Sequence, residues 1–182
     1  MNEAMERHLR ACDGFSLIVD QGEGHWTGPS PCPGWDARGV VEHVIGFHDV
    51  LLLRPLGAKP RRPKHDPVAR WAVTVPAIES ALGRAAIRRP DDPAGAPEVD
   101  LDRLLPVLTA EVLVHTWDLA RAIGVDPRLD PELCEISSGV VEPNDRSLRA
   151  SGMFGPAVAV RAGADAATRL VAFLGRDPGW TP

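Results

Sequence analysis

The chain has 182 residues, enough for one domain that buries roughly two thirds of its unfolded surface, so neither a disulfide nor a metal is needed merely to fold. A formal net charge of −5 with dispersed arginines excludes the basic stripe that a nucleic-acid backbone requires. No apolar run approaches the roughly 20 residues of a membrane span, and the charged start from Met1 to Arg7 is unlike a signal peptide, so a cytoplasmic protein with neither a membrane nor a nucleic-acid partner is expected.

In chain order, helical periodicity dominates and strand alternation is nearly absent. Met5, Leu9, Cys12, Phe15 and Val19 form one stripe and predict a helix from about residue 2 to Asp20. A connection rich in Gly, Pro and Trp runs from Gly22 to Trp35. Asp36 then reads as the N-cap of a second helix extending through about Leu53, with His43 and His48 among its apolar residues. The Pro- and Arg-rich segment 54–66 is a loop; Val68, Trp71, Val75, Ile78 and Leu82 mark a third helix, bent at Pro76. Segment 88–100 reads as another loop. A fourth helix spans roughly 101–123 and ends at Gly124, with Pro106 either kinking it or marking its true first turn.

Asp130-Pro131 opens a short helix to about Val141, stopped by Pro143. Residues 144–163 show no period, and Phe154 to Val160 is expected to lie extended across the surface. Asp165 caps a last helix that ends near Leu174 and Gly175. The fold class expected is therefore all-α, an up-down four-helix bundle with short additional C-terminal helices. Residues 1–182 read as one domain, with 143–182 an extension whose Phe154 and Trp180 pack on the bundle.

Cys12, Cys32 and Cys134 are odd in number, far apart and without a C-x-x-C pair, which argues against a disulfide framework and a cysteine zinc site. Cys12 falls on an apolar stripe. Cys32, in Pro31-Cys-Pro-Gly-Trp35, precedes a helix start, where a thiol pKa can be lowered; isolated cysteines are more often small hydrophobes, and a structural or incidental role is expected.

Glu111 and His115 carry the strongest chemical signal, because a four-residue step stacks two side chains on one helix face. Leu104, Leu108, Leu119 and Ala122 mark that face as the one turned inward. A carboxylate there is costly unless something keeps it charged, and sharing a cation with a neighbouring imidazole does so. His43 is the best third donor, being mid-helix among apolar residues. Alone, such a histidine is more often a hydrogen-bonded core residue; the Glu111–His115 pair raises its standing. His8 lies near a helix end, His25 and His65 lie in loops, and His48 points about 140° around the helix from His43. Two histidines and one carboxylate suit zinc with a fourth position open to water or substrate, although non-haem iron or nickel fits the same donors. Asp118, one turn beyond His115, either accepts an imidazole N–H as a second layer behind the metal or binds an arginine such as Arg121.

The segments Pro31-Cys-Pro-Gly-Trp-Asp36, Val41-Glu-His43 and Val114-His-Thr-Trp-Asp-Leu-Ala-Arg-Ala-Ile-Gly124 together resemble the DinB-like metalloproteins, specifically the mycothiol-dependent maleylpyruvate isomerase N-terminal family. Arg169 to Pro178 is similar to the tail of its single-domain branch. The resemblance implies a DinB-type bundle with a divalent metal, usually zinc, held at His43, Glu111 and His115. The isomerase resembled carries an additional C-terminal domain after the bundle. The expectation is therefore the general family chemistry, in which a low-molecular-weight thiol, mycothiol, attacks a small electrophile at the metal. A pocket between the second and fourth helices, with Trp35 and Trp117 near its ends, would hold that electrophile. Arg38 or Arg121 would meet a carboxylate or sugar hydroxyl, though surface ion pairing is the commoner role for both. A metal-dependent hydrolase, a non-catalytic stress-associated metal-binding bundle, and a monomeric or homodimeric state all remain open.

Overall fold

The computed structural model describes residues 2–87, 99–150, 152 and 154–182. Among them it is helical, with helices α1 (Glu3–Val19), α2 (Ala37–His48), α3 (Pro67–Ile87), α4 (Leu101–Ile123), α5 (Pro131–Val141), α6 (Asp145–Ala150) and α7 (Ala166–Phe173). Each of α1 and α2 packs against both α3 and α4. These four helices close a ring around a shared core, the DinB-like four-helix bundle. α5 lies on α4, and α7 lies on α5 and α4.

Polar residues start the helices as the sequence predicts. Asp36, Asp130 and Asp165 accept backbone N–H bonds at the starts of α2, α5 and α7, and Gly124 closes α4 in the left-handed conformation at φ 75°. Asn2 and Asp100 cap α1 and α4 in the same way. With Asp100 as the cap, Pro106 lies inside α4, so it does not mark the first turn. Pro76 is likewise inside α3, which continues through it.

Two stretches differ from the sequence reading. The α-helical part of α2 stops at His48, and Asp49–Leu53 continues as a π-helical turn whose wider i to i+5 bonding no apolar period announces. A 3₁₀ turn, Glu142–Asn144, and the short α6 occupy a stretch that shows no period; neither buries a residue, so neither needs an apolar stripe. The loop expected over 88–100 falls, from 88 to 98, outside the described residues.

Phe15, Val19, Val40, Ile45, Leu52, Ile78, Leu82, Leu105, Leu108 and Leu119 are fully enclosed, and Leu170 and Val171 of α7 belong to the same core. Phe15 meets Trp71 edge-on with ring centroids 4.8 Å apart, joining α1 to α3. Phe154 is buried and Trp180 packs against the core from its rim, while Val158 donates its backbone N–H to the Ala172 carbonyl at 2.9 Å. No helix among the described residues is long and apolar enough to cross a membrane.

Phe15→Ala is expected to cost about 3–5 kcal/mol in urea unfolding, since it empties a closed site. Asp36→Ala, which removes one cap bond, should cost about 1 kcal/mol. The ratio of the two losses, read from the unfolding midpoints at constant slope, checks that core packing outweighs capping here.

Candidate metal centre

The connection between α1 and α2 is folded tightly enough to bring two of its side chains to α4. A Cβ on Gly28 would meet the Ala122 carbonyl oxygen at 2.5 Å, so only glycine lets this loop lie against the end of α4. Ser30 then donates its N–H to the Trp35 carbonyl and Trp35 donates to that of Cys32, closing a turn that presents both Cys32 and Trp35 to the bundle. Asp36 ends the turn by capping α2 through Gly39 N at 2.7 Å.

His43 of α2 faces Glu111 and His115 of α4. Their ligand atoms all lie within 4.8 Å of one another. His115 Nε2 is 3.3 Å from Glu111 Oε2, and His43 Nε2 is 3.9 Å from the same oxygen. The imidazole rings of His43 and His115 meet edge-on at 4.7 Å. Burial is unequal: the side chains of Glu111 and His115 are 6% and 5% exposed, whereas that of His43 is 32% exposed. The cluster thus opens to solvent on the His43 side, where the Trp35 ring lies 4.6 Å from His43 and the Phe47 ring 5.7 Å.

Asp118 stands behind this cluster, fully buried. Its Oδ2 accepts from His115 Nδ1 at 2.9 Å, from the Cys32 thiol at 3.1 Å and from Arg176 Nη2 at 2.9 Å. Arg176 Nε adds a bond of 3.0 Å to Oδ1, and its Nη2 is also 3.2 Å from Cys32 Sγ. Asp118 therefore takes both roles weighed for it, the imidazole partner and the arginine partner. The arginine is Arg176, just beyond α7, and not Arg121, which lies over the Trp117 ring at 5.1 Å. Sequence reasoning missed Arg176 because it is 58 residues from Asp118 and no spacing rule links them.

The electrostatics favour a positive charge between the two carboxylates. Burial alone would raise the Glu111 carboxyl, but hydrogen bonds from His115 and His43 bring it down to about 2. Burial works against the His115 imidazolium, yet the bonds to Asp118, Cys32 and Glu111 raise its pKa well above the ordinary value. Asp118 is lowered, its burial outweighed by His115 and Arg176, and Arg176 is raised in turn by Asp118. Glu111 Oε1, meanwhile, is buried with no hydrogen-bond partner among the described residues. A buried, charged carboxylate with one unpaired oxygen and two adjacent imidazoles fits a divalent cation.

Cys32, Trp35 and Asp118 are brought to the cluster; Trp117 and the two suggested arginines are not. Trp117 and Arg121 line a separate cavity of about 660 Å³ with Trp180 and Thr168, away from His43, Glu111 and His115. Trp117 is two residues from His115, which turns it to the other side of α4. Arg38 donates to the His65 carbonyl at 2.7 Å. The reading of His8 as a residue near a loose helix end is also corrected: it is fully buried and contacts His48.

The family model of the mycothiol maleylpyruvate isomerase N-terminal domain matches residues 10–56, the stretch holding Cys32, Trp35 and His43. Two uncharacterized proteins of Mycobacterium tuberculosis, from strains CDC 1551 and H37Rv, are each 32% identical over 131 residues, covering 69% of this chain and 70% of theirs. The chain belongs to the mycothiol maleylpyruvate isomerase N-terminal domain family. No solved structure matches significantly. Family membership brings an association with metal binding and with mycothiol, and the His43, Glu111 and His115 cluster is one group of side chains in this chain that could hold a metal ion.

Asp118→Asn is expected to weaken divalent-metal binding by about 10- to 100-fold, because the amide holds His115 less firmly in the tautomer that turns Nε2 toward Glu111. It should also destabilise the fold by about 3–5 kcal/mol, since Arg176 is left without its buried counter-charge. Competition with a chromophoric chelator and urea unfolding measure the two effects separately.

Proposed function

We propose that the chain is a metal-dependent thiol transferase that joins a small thiol, mycothiol by family association, to a small electrophile, with His43, Glu111 and His115 as the metal ligands. The observation that carries this reading is the one-sided opening of the cluster: two donors are buried and the third is about one-third exposed. Three protein donors with one accessible side describe a catalytic site more than a closed structural one. When bound, a divalent cation such as zinc supplies Lewis acidity that keeps a thiol deprotonated at neutral pH, where a free thiol with a pKa of about 8.5 is mostly protonated.

The chain's own residues do the rest by placement. Asp118 holds His115 through Nδ1, so Nε2 is the nitrogen directed to the shared centre. Glu111 balances the charge of the cation and stays ionised across the physiological range. Trp35 and Phe47 flank His43 and offer apolar surface at the mouth, suited to an electrophile that must be desolvated before sulfur forms its bond to carbon. Arg176 is committed to Asp118 and Cys32, and Arg38 to the His65 carbonyl, so neither is offered as a substrate anchor. Residues 1–182 are taken as one functional domain in this reading, because the C-terminal segment contributes Arg176 to the layer behind His115.

Titration of the cobalt-substituted protein with mycothiol and other cellular thiols tests the proposal. A sulfur-to-cobalt charge-transfer band should grow with added thiol and disappear in Glu111→Gln and His43→Ala. No thiol-dependent band with any thiol, together with hydrolysis of a generic ester panel, would replace the transferase with a water-activating hydrolase.

A further inference from the structure

A second cluster lies on the opposite side of α2 from His43. His8 and Cys12, one turn apart on α1, meet His48 at the end of α2, and all three are buried. The two Nε2 atoms are 3.1 Å apart, with Cys12 Sγ 3.7 Å from that of His8 and 4.0 Å from that of His48. None of these residues takes part in the site described above.

The outer nitrogens bear on the tautomers. His48 Nδ1 is 2.7 Å from the Val44 carbonyl oxygen, which can only accept, so Nδ1 carries the proton and Nε2 is free to accept or to ligate. His8 Nδ1 is 3.3 Å from Thr109 Oγ1, and that hydroxyl donates its own hydrogen to the Leu105 carbonyl at 2.7 Å. With its proton on Nε2, His8 donates to His48 Nε2 at 3.1 Å; with its proton on Nδ1, it donates to the Thr109 hydroxyl, and both Nε2 lone pairs then face the thiol as metal donors.

The spacing is close to what a metal needs. Bonds of about 2.0 Å to nitrogen and about 2.3 Å to sulfur, at trigonal to tetrahedral angles, require donors roughly 3.3–3.5 Å apart for two nitrogens and roughly 3.5–3.7 Å apart for nitrogen and sulfur. The 3.7 Å separation of Cys12 and His8 meets this, while the 3.1 Å pair of nitrogens is slightly short and the 4.0 Å separation of Cys12 and His48 slightly long, so binding draws the sulfur in and the rings apart. An Nδ1–H held by an oxygen is also the usual arrangement behind a metal-bound imidazole.

Charge decides between cations. The cluster has one group that can become anionic, the Cys12 thiol. The carboxylates that reach it act from a distance: Asp13 and Glu79 help burial push the thiol pKa up, and Asp49 is bound to Arg62 at 2.8 Å. A thiolate and a monovalent cation sum to zero in this enclosed site, whereas a dication would leave a buried positive charge. Soft thiolate donors also select copper(I). We propose that His8, Cys12 and His48 form an N2S site for one copper(I) ion, distinct from the His43, Glu111 and His115 cluster. Binding forms one Cu–S and two Cu–N bonds, releases the Cys12 proton to solvent and changes no oxidation state. The π-helical turn at Asp49–Leu53 begins at the residue after His48.

Anaerobic titration of the full chain with copper(I), in competition with a chromophoric copper(I) chelator, tests the assignment. The wild type should withdraw one equivalent and develop a near-ultraviolet thiolate-to-copper band, and Glu111→Gln should do the same. Cys12→Ser and Cys12→Ala, with helical circular dichroism retained, should lose the band and bind copper(I) at least tenfold more weakly. Loss of copper in Glu111→Gln with retention in Cys12→Ser would place the ion at the other cluster and overturn the proposal. Failure of the wild type to withdraw copper would overturn it too. Displacement of the copper by stoichiometric zinc would overturn the charge argument. Apart from copper found at the other cluster, these outcomes leave the thiol transferase reading untouched, because it rests on different residues.

Discussion

The buried Asp118 carboxylate holds together the three parts of the chain that make the site. A carboxylate with no exposure is costly to bury unless every acceptor direction is filled. Here the partners come from three places: His115 one turn back on α4, Cys32 in the α1–α2 connection, and Arg176 beyond α7. Each partner is satisfied only if its segment is in place. One ion thereby links the orientation of His115 to the path of the loop and to the docking of the C-terminal segment, and the network exists whole or loses its electrostatic justification.

α2 has two working faces. His43 looks toward Glu111 and His115 at the solvent-accessible edge, and His48 looks toward His8 and Cys12 in the interior. A separation of five residues turns the two rings about 140° apart, and the change to π-helical bonding follows directly after the second one. The two clusters differ in the property that governs which cation they favour. One includes an ionised carboxylate and an exposed edge, the other a thiol and two imidazoles with no exposed edge.

The apolar surface of the chain is divided in the same way. Trp35 and Phe47 border His43, whereas Trp117 and Trp180 line a cavity shared by the end of α4 and the C-terminal segment. Substrate contact in the proposed reaction thus belongs to the Trp35 side. Arg121, whose guanidinium lies over Trp117, reaches the Pro178 carbonyl of the tail at 3.5 Å.

Local rules sufficed for the helices, their caps and the pairing of Glu111 with His115, because period, capping chemistry and the four-residue step are properties of neighbours in sequence. They also singled out His43 as the third donor, and the tertiary structure places its ring beside the other two. What needed the folded chain were the long-range choices: Arg176 over Arg121 as the partner of Asp118, Cys32 at the back of the site, and His8 against His48. Each depends on which elements face one another and at what height along the bundle. The loop pressed onto Ala122, for one, carries Cys32 to α4 through space, and no spacing along the chain encodes that approach.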